Sequence, residues 1–427
     1  MKNFLLIGNS AIEDAIAWKL NKENNIGNIF ISPGNGGCYF KQKTRNINLN
    51  LNDKNELIDF LNRENINLII NSSYNELTEA FDNLIKEKKI GFIGPDFNKK
   101  SFFNSRINIR NFFKKYNVLS PSFEIIESID QLSKIIEKYT TRKIIYTELQ
   151  KSWKGSYIIE SKGQGIKILE AIEESGEKDG KFIIENYQKG EEFSAIIALD
   201  GISHFIFPVV RVYPKSFDYD YGLYTSGMGA FTPCPSFTNL DLKVLEEKII
   251  NPIIEGLKKE SLNYCGFLTV HFIKTGDKLL ALNMIPSIHS PEIVTIIALM
   301  DSSFNNLCES ILNQDLEKYV LKINKGYSIS IVLASKGYPI NSEKGVLIAG
   351  LEKNYEDINI FHNRTSRITY SKNRGFVTNG GRVVILNTVK STLENARKRI
   401  SDLLQNNEIF FSGNFYRSDI AEKYCKN

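Results

Sequence analysis

No apolar run in this chain approaches the roughly 20 residues that a membrane-crossing helix needs, so a membrane-spanning protein is not expected. Cysteine is thin and scattered: Cys38, Cys234, Cys265, Cys308 and Cys425 never pair as CxxC. An odd, dispersed set of this kind argues for reduced thiols in a cytosolic protein. Histidine is scarcer, with 4 in the chain. His271 and His289 stand without Cys or Asp at metal-ligand spacing, so they are read as structural. A surplus of one charge is also missing. The net charge is +5 over 427 residues with both signs interspersed, which leaves no basic stripe for nucleic acid. Internal repeats and low-complexity linkers are lacking too. The start, Met1-Lys2-Asn3-Phe4-Leu5-Leu6-Ile7-Gly8, is too short an apolar run for a signal peptide and reads as a first strand.

What is present is an ordinary globular composition, 42% hydrophobic and 24% charged. The length suits about two to four domains. Up to about residue 100, strand and helix patterns alternate. A strand at 3–7 ends on Gly8-Asn9-Ser10 and gives way to helical spacing over 11–20. A second strand, 28–32, closes on Pro33-Gly34-Asn35-Gly36-Gly37. Helices at 54–62 and 76–87 then alternate with strands at 67–70 and 89–93. This doubly wound α/β pattern predicts a parallel sheet covered by helices.

From residue 102, helices at 104–116 and 129–138 precede short strands at 143–146 and 155–160, which flank a loop. Strands at 181–187, 195–199 and 202–212 follow. A long amphipathic helix over 240–260 and a hairpin of 266–274 with 278–284 complete a mainly antiparallel middle region. Beyond Gly326, short strands and one helix at 393–404 predict a small α+β domain. The expected division is 1–101, 102–325 and 326–427.

Between the last of the middle strands and the long helix, Gly222, Gly227, Gly229 and Pro233 crowd into residues 221–233. Such density argues against a helix or strand interior. It suits a loop whose backbone comes close to a ligand. Yet the stretch carries Tyr221, Tyr224 and Phe231, with Asp220 as the one charge at its border, and so lacks the cations of a phosphate loop.

Read in order, several short stretches form a pattern. They are Ile7-Gly8-Asn9, Pro33-Gly34-Asn35-Gly36-Gly37, Phe92-Ile93-Gly94-Pro95, Ile184-Glu185 with Gly190-Glu191-Glu192, Ser226-Gly227-Met228-Gly229-Ala230, Asn251-Pro252-Ile253-Ile254-Glu255-Gly256-Leu257, Tyr264-Cys265-Gly266-Phe267 and Thr378-Asn379-Gly380-Gly381-Arg382-Val383. Each is weak alone. Their order, from Met1 to about residue 420, resembles phosphoribosylamine–glycine ligase, also called glycinamide ribonucleotide synthetase. The resemblance implies a Rossmann-like N-terminal domain, a two-lobed ATP-grasp centre and a small α+β C-terminal domain. It implies ATP-dependent joining of glycine to 5-phosphoribosylamine in purine biosynthesis, in the cytoplasm, with ATP and Mg²⁺. Glycine's carboxylate would take the γ-phosphoryl group, and the amine would attack the acyl phosphate. Such chemistry needs Mg²⁺ on oxygen ligands and donors around the transferring group.

By resemblance, ATP binding falls on Arg106, Lys154, Glu185 and Glu192. Substrate binding falls on Gly8, Asn35, Gly227 and Arg382, and the metal on Asn283. Other positions depart from the family's pattern. Without a gap, Asn283 stands at the metal glutamate, Ile285 at the metal asparagine, Ser287 at an arginine, and 289–292 align with Gly-Asp-Pro-Glu. With a gap, Asn283 becomes the asparagine and Ala281 takes the glutamate's place. Tyr146 replaces a phosphate lysine, and Leu149 and Trp153 replace flap glycines. Ile12 and Asp14 stand at an Arg and a His of the first turn, and Ser72-Ser73-Tyr74-Asn75-Glu76-Leu77 replaces Gly-Pro-Glu-x-Pro-Leu. Val212 and Pro214 replace an Asp and a Lys, and Tyr224 and Ser226 an Asn and a Gly.

Three readings follow. An active ligase, with small molecules as its partners, would need Mg²⁺ held by water, Asp218 or Asp220, and Glu185 or Glu192. A pseudoenzyme would keep the fold as a binding or partner protein. A ligase with altered substrate would use an aromatic-lined pocket for something less anionic. Losing one preorganised donor costs on the order of 10²-fold in rate, so replacement at many positions favours impaired or lost ligation.

Overall fold

The computed structural model describes residues 1–72, 78–138, 140–151, 154–174, 180–370 and 373–425. Lys2–Gly8 lies at the centre of a five-stranded sheet, paired in parallel with Ile26–Pro33 and Ile66–Asn71. Thr44–Asn46 and Gly91–Ile93 form its edges. Phe4, Leu5, Leu6 and Ile7 are all buried, as a strand covered on both faces requires. The helices Lys54–Arg63 and Glu79–Lys88 cover one face around Leu5, Phe30, Phe60 and Phe81. Ala11–Leu20 covers the other, opened by a capping box between Ser10 and Glu13. The doubly wound expectation holds. Thr44–Asn46 was not expected, since three polar residues carry no alternation.

The next unit is a four-stranded antiparallel sheet in the order Phe123–Ile126, Phe182–Asn186, Lys143–Lys151, Lys154–Ile159. Helices Ile129–Glu137 and Lys162–Glu174 pack on it around Leu132, Ile136 and Ile172. The loop expected after residue 146 is instead strand as far as Lys151. Trp153 lies outside the described residues.

A nine-stranded antiparallel sheet organises the rest. Its path runs from Lys278–Ile285 through Cys265–Thr275, Glu191–Asp200, Val210–Val212 and Gly229–Thr232 to Tyr327–Ala334, Arg382–Lys390 and Asn359–His362. Strands from beyond residue 326 therefore continue the central sheet. A three-stranded sheet, Leu347–Ile348, Asn373–Thr378 and Thr365–Tyr370, and the helix Leu393–Gln405 accompany them.

The glycine-rich stretch also departs from expectation, because Tyr221–Tyr224 and Gly229–Thr232 are strands. Gly229 tolerates no side chain there: a Cβ would fall 2.1 Å from Ile420 Cδ1 and 2.8 Å from Ser330 O. Close packing, and not a loop, demands that glycine.

The long helix is Asn239–Leu245 and Asn251–Lys259 joined by a π-helical turn, Glu246–Ile250. Pro252 has no N–H to offer the Lys248 carbonyl, and the Leu119 N–H takes that carbonyl at 3.0 Å. Two further helices, Glu292–Leu299 and Phe304–Leu312, pack between the parallel sheet and the central sheet. Among the described residues no helix is long and apolar enough to cross a membrane.

Candidate active site

A cleft of about 470 Å³ opens where the four-stranded unit faces the end of the central sheet. Arg106 enters it from the first turn of Arg106–Lys115, a helix whose start is fixed by the Ser105 cap. Tyr146 comes from Lys143–Lys151, Glu192 from Glu191–Asp200, and Asn283 and Ile285 from the end of Lys278–Ile285. Gly227 and Arg382 complete the set of sequence-predicted residues that line the cleft, with Arg364 exposed on its wall.

Gly8, Asn35 and Glu185 sit elsewhere. Gly8 turns the chain out of the first strand at φ +146°, where a Cβ would overlap the Glu13 carboxylate. Asn35 is buried; it accepts from the Gly37 N–H and donates to Ser10 O and His362 O. Glu185 is buried in an ion pair with Arg110, 2.6 Å apart. Lys154 begins the strand Lys154–Ile159, and its side chain lies outside the described residues. Residues 73–77 of the Gly-Pro-Glu-x-Pro-Leu replacement also lie outside them.

Two cations at the cleft, Arg106 within it and Lys215 behind Tyr224, are covered by aromatic faces. The Arg106 guanidinium sits 4.8 Å from the Tyr146 ring centre, and Lys215 Nζ lies 3.7 Å over the Tyr224 ring. Burial pulls Arg106 down to about 10 and Lys215 down to about 8. Burial raises Tyr146, so its hydroxyl is neutral near pH 7. Glu192 is pushed up to about 7 by burial, against the opposing charges of Arg211 and Lys215. The Tyr224 hydroxyl donates to Glu192 Oε1 at 3.2 Å.

Arg382 holds the glycine turn in place. Its Nη1 donates to Ser226 O at 2.5 Å and Ser290 O at 2.6 Å. Gly227, at φ +99°, lies so close to Pro291 that a Cβ would be 2.7 Å from its Cδ. Two segments far apart in sequence are thus locked together at the cleft wall.

On the same wall the two histidines read as structural turn out to be neighbours. Their rings are 5.0 Å apart, and both face Glu292. Ser194 Oγ stands 2.7 Å from His271 Nδ1 and donates to Glu292 Oε1 at 3.0 Å. His289 Nδ1 is 3.3 Å from the same oxygen. Burial and the charge of His289 press His271 down to about 4. Burial opposes ionisation of Glu292, but His289 and His271 outweigh it and hold that carboxyl at about 2. Sequence reasoning missed Glu292 and Ser194. The local signal was the spacing His289-x-x-Glu292; His271 joins only through the fold.

The Mg²⁺ that the resemblance implies does not fit the residues at its positions. Ala281 is fully buried in the core, Asn283 offers a neutral amide, and Ile285 offers only alkyl surface. Magnesium demands oxygen ligands, with a carboxylate among them. Asp218 and Asp220 are already engaged, by Ser418 and Arg417 respectively.

Known proteins share this architecture. Models of the N domain, the ATP-grasp (A) domain and the C domain of phosphoribosylglycinamide synthetase match residues 2–101, 104–285 and 328–423. The chain is 29% identical over 423 residues to phosphoribosylamine–glycine ligase of Clostridium acetobutylicum, covering 98% of this chain and 99% of that relative. The crystal structure of phosphoribosylamine–glycine ligase from Thermotoga maritima is similar at TM-score 0.77 and 25% identity, over 98% of this chain and 99% of that one. The biotin carboxylase domain of Hydrogenobacter thermophilus 2-oxoglutarate carboxylase shares the fold at TM-score 0.71 and 14% identity, over 97% and 91% of the two chains. Matched by all three domains in order, the chain belongs to the phosphoribosylglycinamide synthetase family and has its ATP-grasp fold.

Proposed function

We propose that this chain is a divergent member of its purine-biosynthetic family that has lost, or largely lost, Mg²⁺-dependent ligation of glycine to 5-phosphoribosylamine. The observation that carries this reading is the cleft end of Lys278–Ile285, where Asn283 and Ile285 present no carboxylate. Phosphoryl transfer relies on electrostatic stabilisation of the transferring group. With no anion at those positions, nothing there anchors the ion that would offset the phosphate charge. At the opposite side of the cleft, a neutral Tyr146 ring lies against Arg106 where a second cation would be needed. ATP remains the nucleotide that the family resemblance suggests, with Arg106 and Glu192 as its contacts in the cleft.

Tyr146 and Tyr224 favour a second reading, a cleft adapted to a less anionic ligand. Both rings line it, and each covers a cation that would otherwise face an anion. The test of the main reading is ADP release by the full chain with ATP, Mg²⁺, glycine and freshly generated phosphoribosylamine. No release above the glycine-free control is expected. Release that depends on both substrates would overturn the proposal. A nucleotide-induced rise in melting temperature without turnover would favour the second reading over a protein that binds no nucleotide.

A further inference from the structure

Three side chains from three segments meet on the cleft wall. His271 comes from Cys265–Thr275, His289 from the turn after Lys278–Ile285, and Glu292 from the start of Glu292–Leu299. One donor atom from each lies within 4.8 Å of the others. Ligand atoms about 2.0–2.1 Å from a tetrahedral ion are themselves about 3.3 Å apart. The spacing of His289 Nδ1 to Glu292 Oε1 is 3.3 Å, and that of His271 Nδ1 to the same oxygen is 3.9 Å. The three side chains already stand within reach of one ion.

A second observation, independent of that spacing, points to a ligand. Glu292 is 2% exposed, and its Oε2 has no hydrogen-bond partner among the described residues. Leaving a buried polar atom unsatisfied is costly, and a carboxylate oxygen more so. Ser194 and the histidines account for Oε1 only. A structural role for the cluster leaves Oε2 unexplained, whereas a cation bound there would satisfy it.

We propose that His271, His289 and Glu292 form a site for a divalent transition metal of the Zn²⁺ class, with the remaining coordination position open to the cleft. Two imidazoles and one carboxylate suit Zn²⁺ and its neighbours, and supply too few hard oxygens for Mg²⁺. Ser194, fully buried behind the cluster, donates to Glu292 Oε1 and accepts from His271 Nδ1. The metal therefore takes His271 through Nε2 and Glu292 through Oε2, with Ser194 holding the opposite atoms as outer partners of metal ligands do. The site is separate from the positions at which the family resemblance puts Mg²⁺, and it stands whether or not ligation persists.

The test uses the full chain, stripped with chelator and titrated with Zn²⁺ by calorimetry and with Co²⁺ by visible absorption. One equivalent of Zn²⁺ is expected to bind and raise the melting temperature, Co²⁺ to give tetrahedral absorption bands, and excess Mg²⁺ to displace neither. His289 has 23% of its side chain exposed, so His289→Asn should keep the metal-free melting temperature while binding Zn²⁺ at least about 10-fold more weakly. Ser194→Ala should weaken binding by about 10–100-fold without removing a ligand. Failure of the wild type to bind an equivalent of Zn²⁺ overturns the site. So does unchanged affinity in folded His289→Asn and Glu292→Gln variants, which would assign the metal to other groups.

Discussion

His271 lies directly opposite Asn283 in the antiparallel pair of Cys265–Thr275 and Lys278–Ile285. The amide that the family resemblance assigns to a metal position therefore has an imidazole across from it on the cleft side of the sheet. Returning a carboxylate to that strand tests whether its absence is what disables Mg²⁺ use. In Asn283→Glu with Ile285→Asn, Mg²⁺ and ATP together should raise the melting temperature by several degrees, as expected for ligand near 100 times its dissociation constant. The wild type should move by no more than about 1 °C under the same conditions. Equal shifts in both proteins would remove the metal strand from the explanation.

Glu192 gives the cleft a pH dependence of stability. Burial raises its folded pKa from 4.5 to about 7, so between those values the folded chain binds a proton that the unfolded chain has lost. Stability then falls as pH rises across this window, by on the order of 1–3 kcal/mol. Glu192→Gln removes the titration and keeps a partner for the Tyr224 hydroxyl. Relative to the wild type, the variant should gain stability at pH 8 and lose that gain near pH 4.5, as measured by denaturant unfolding at both values. A constant difference between the two would contradict this assignment.

The parallel domain was legible because Phe4 to Ile7 is apolar without interruption and ends at a glycine, which is what a strand buried on both faces looks like. The hairpin carrying Asn283 was legible for a similar reason: alternation on either side of Gly276. The helix Glu292–Leu299 was not, because nearly every residue in it is buried and no polar face marks a helical period. Gly229 misled, since glycine density signals a loop unless another segment, here Ile420, must approach the backbone. The histidine cluster was invisible for a topological reason. His271 and His289 come together only when the hairpin closes in register, and Ser194 joins from the neighbouring strand.

Arg110 and Glu185 form a buried pair behind the cleft, with Arg110 3% exposed and also donating to Ala281 O at 3.2 Å. Burial raises the Glu185 pKa, and Arg110 opposes the rise. Arg110→Leu removes that opposition and should cost about 3–5 kcal/mol near pH 7. The loss should shrink as pH falls and Glu185 takes up a proton. Arg110→Leu combined with Glu185→Leu should cost less than Arg110→Leu alone, because the buried carboxylate that lost its ion-pair partner is gone as well. Additive losses in chemical denaturation would show that the two residues act independently.

The turn at Gly227 should be the position least tolerant of a single methyl group in the cleft wall. Gly227→Ala meets two penalties, a φ of +99° and a Cβ placed 2.7 Å from Pro291 Cδ. Together these should cost about 1–3 kcal/mol. Arg382 bonds to carbonyls on both sides of that contact, at Ser226 and Ser290, so the two positions share one structure. Arg382→Lys keeps the charge but loses the planar fork that spans both carbonyls. Once Arg382→Lys has loosened the turn, the added methyl group has room to shift. The double variant should therefore lose less stability than the sum of the single losses, with a coupling of about 0.5 kcal/mol or more. Strict additivity in a double-mutant cycle would mean that Gly227 is required by its own backbone conformation alone, and that Arg382 holds Ser290 without restraining the turn.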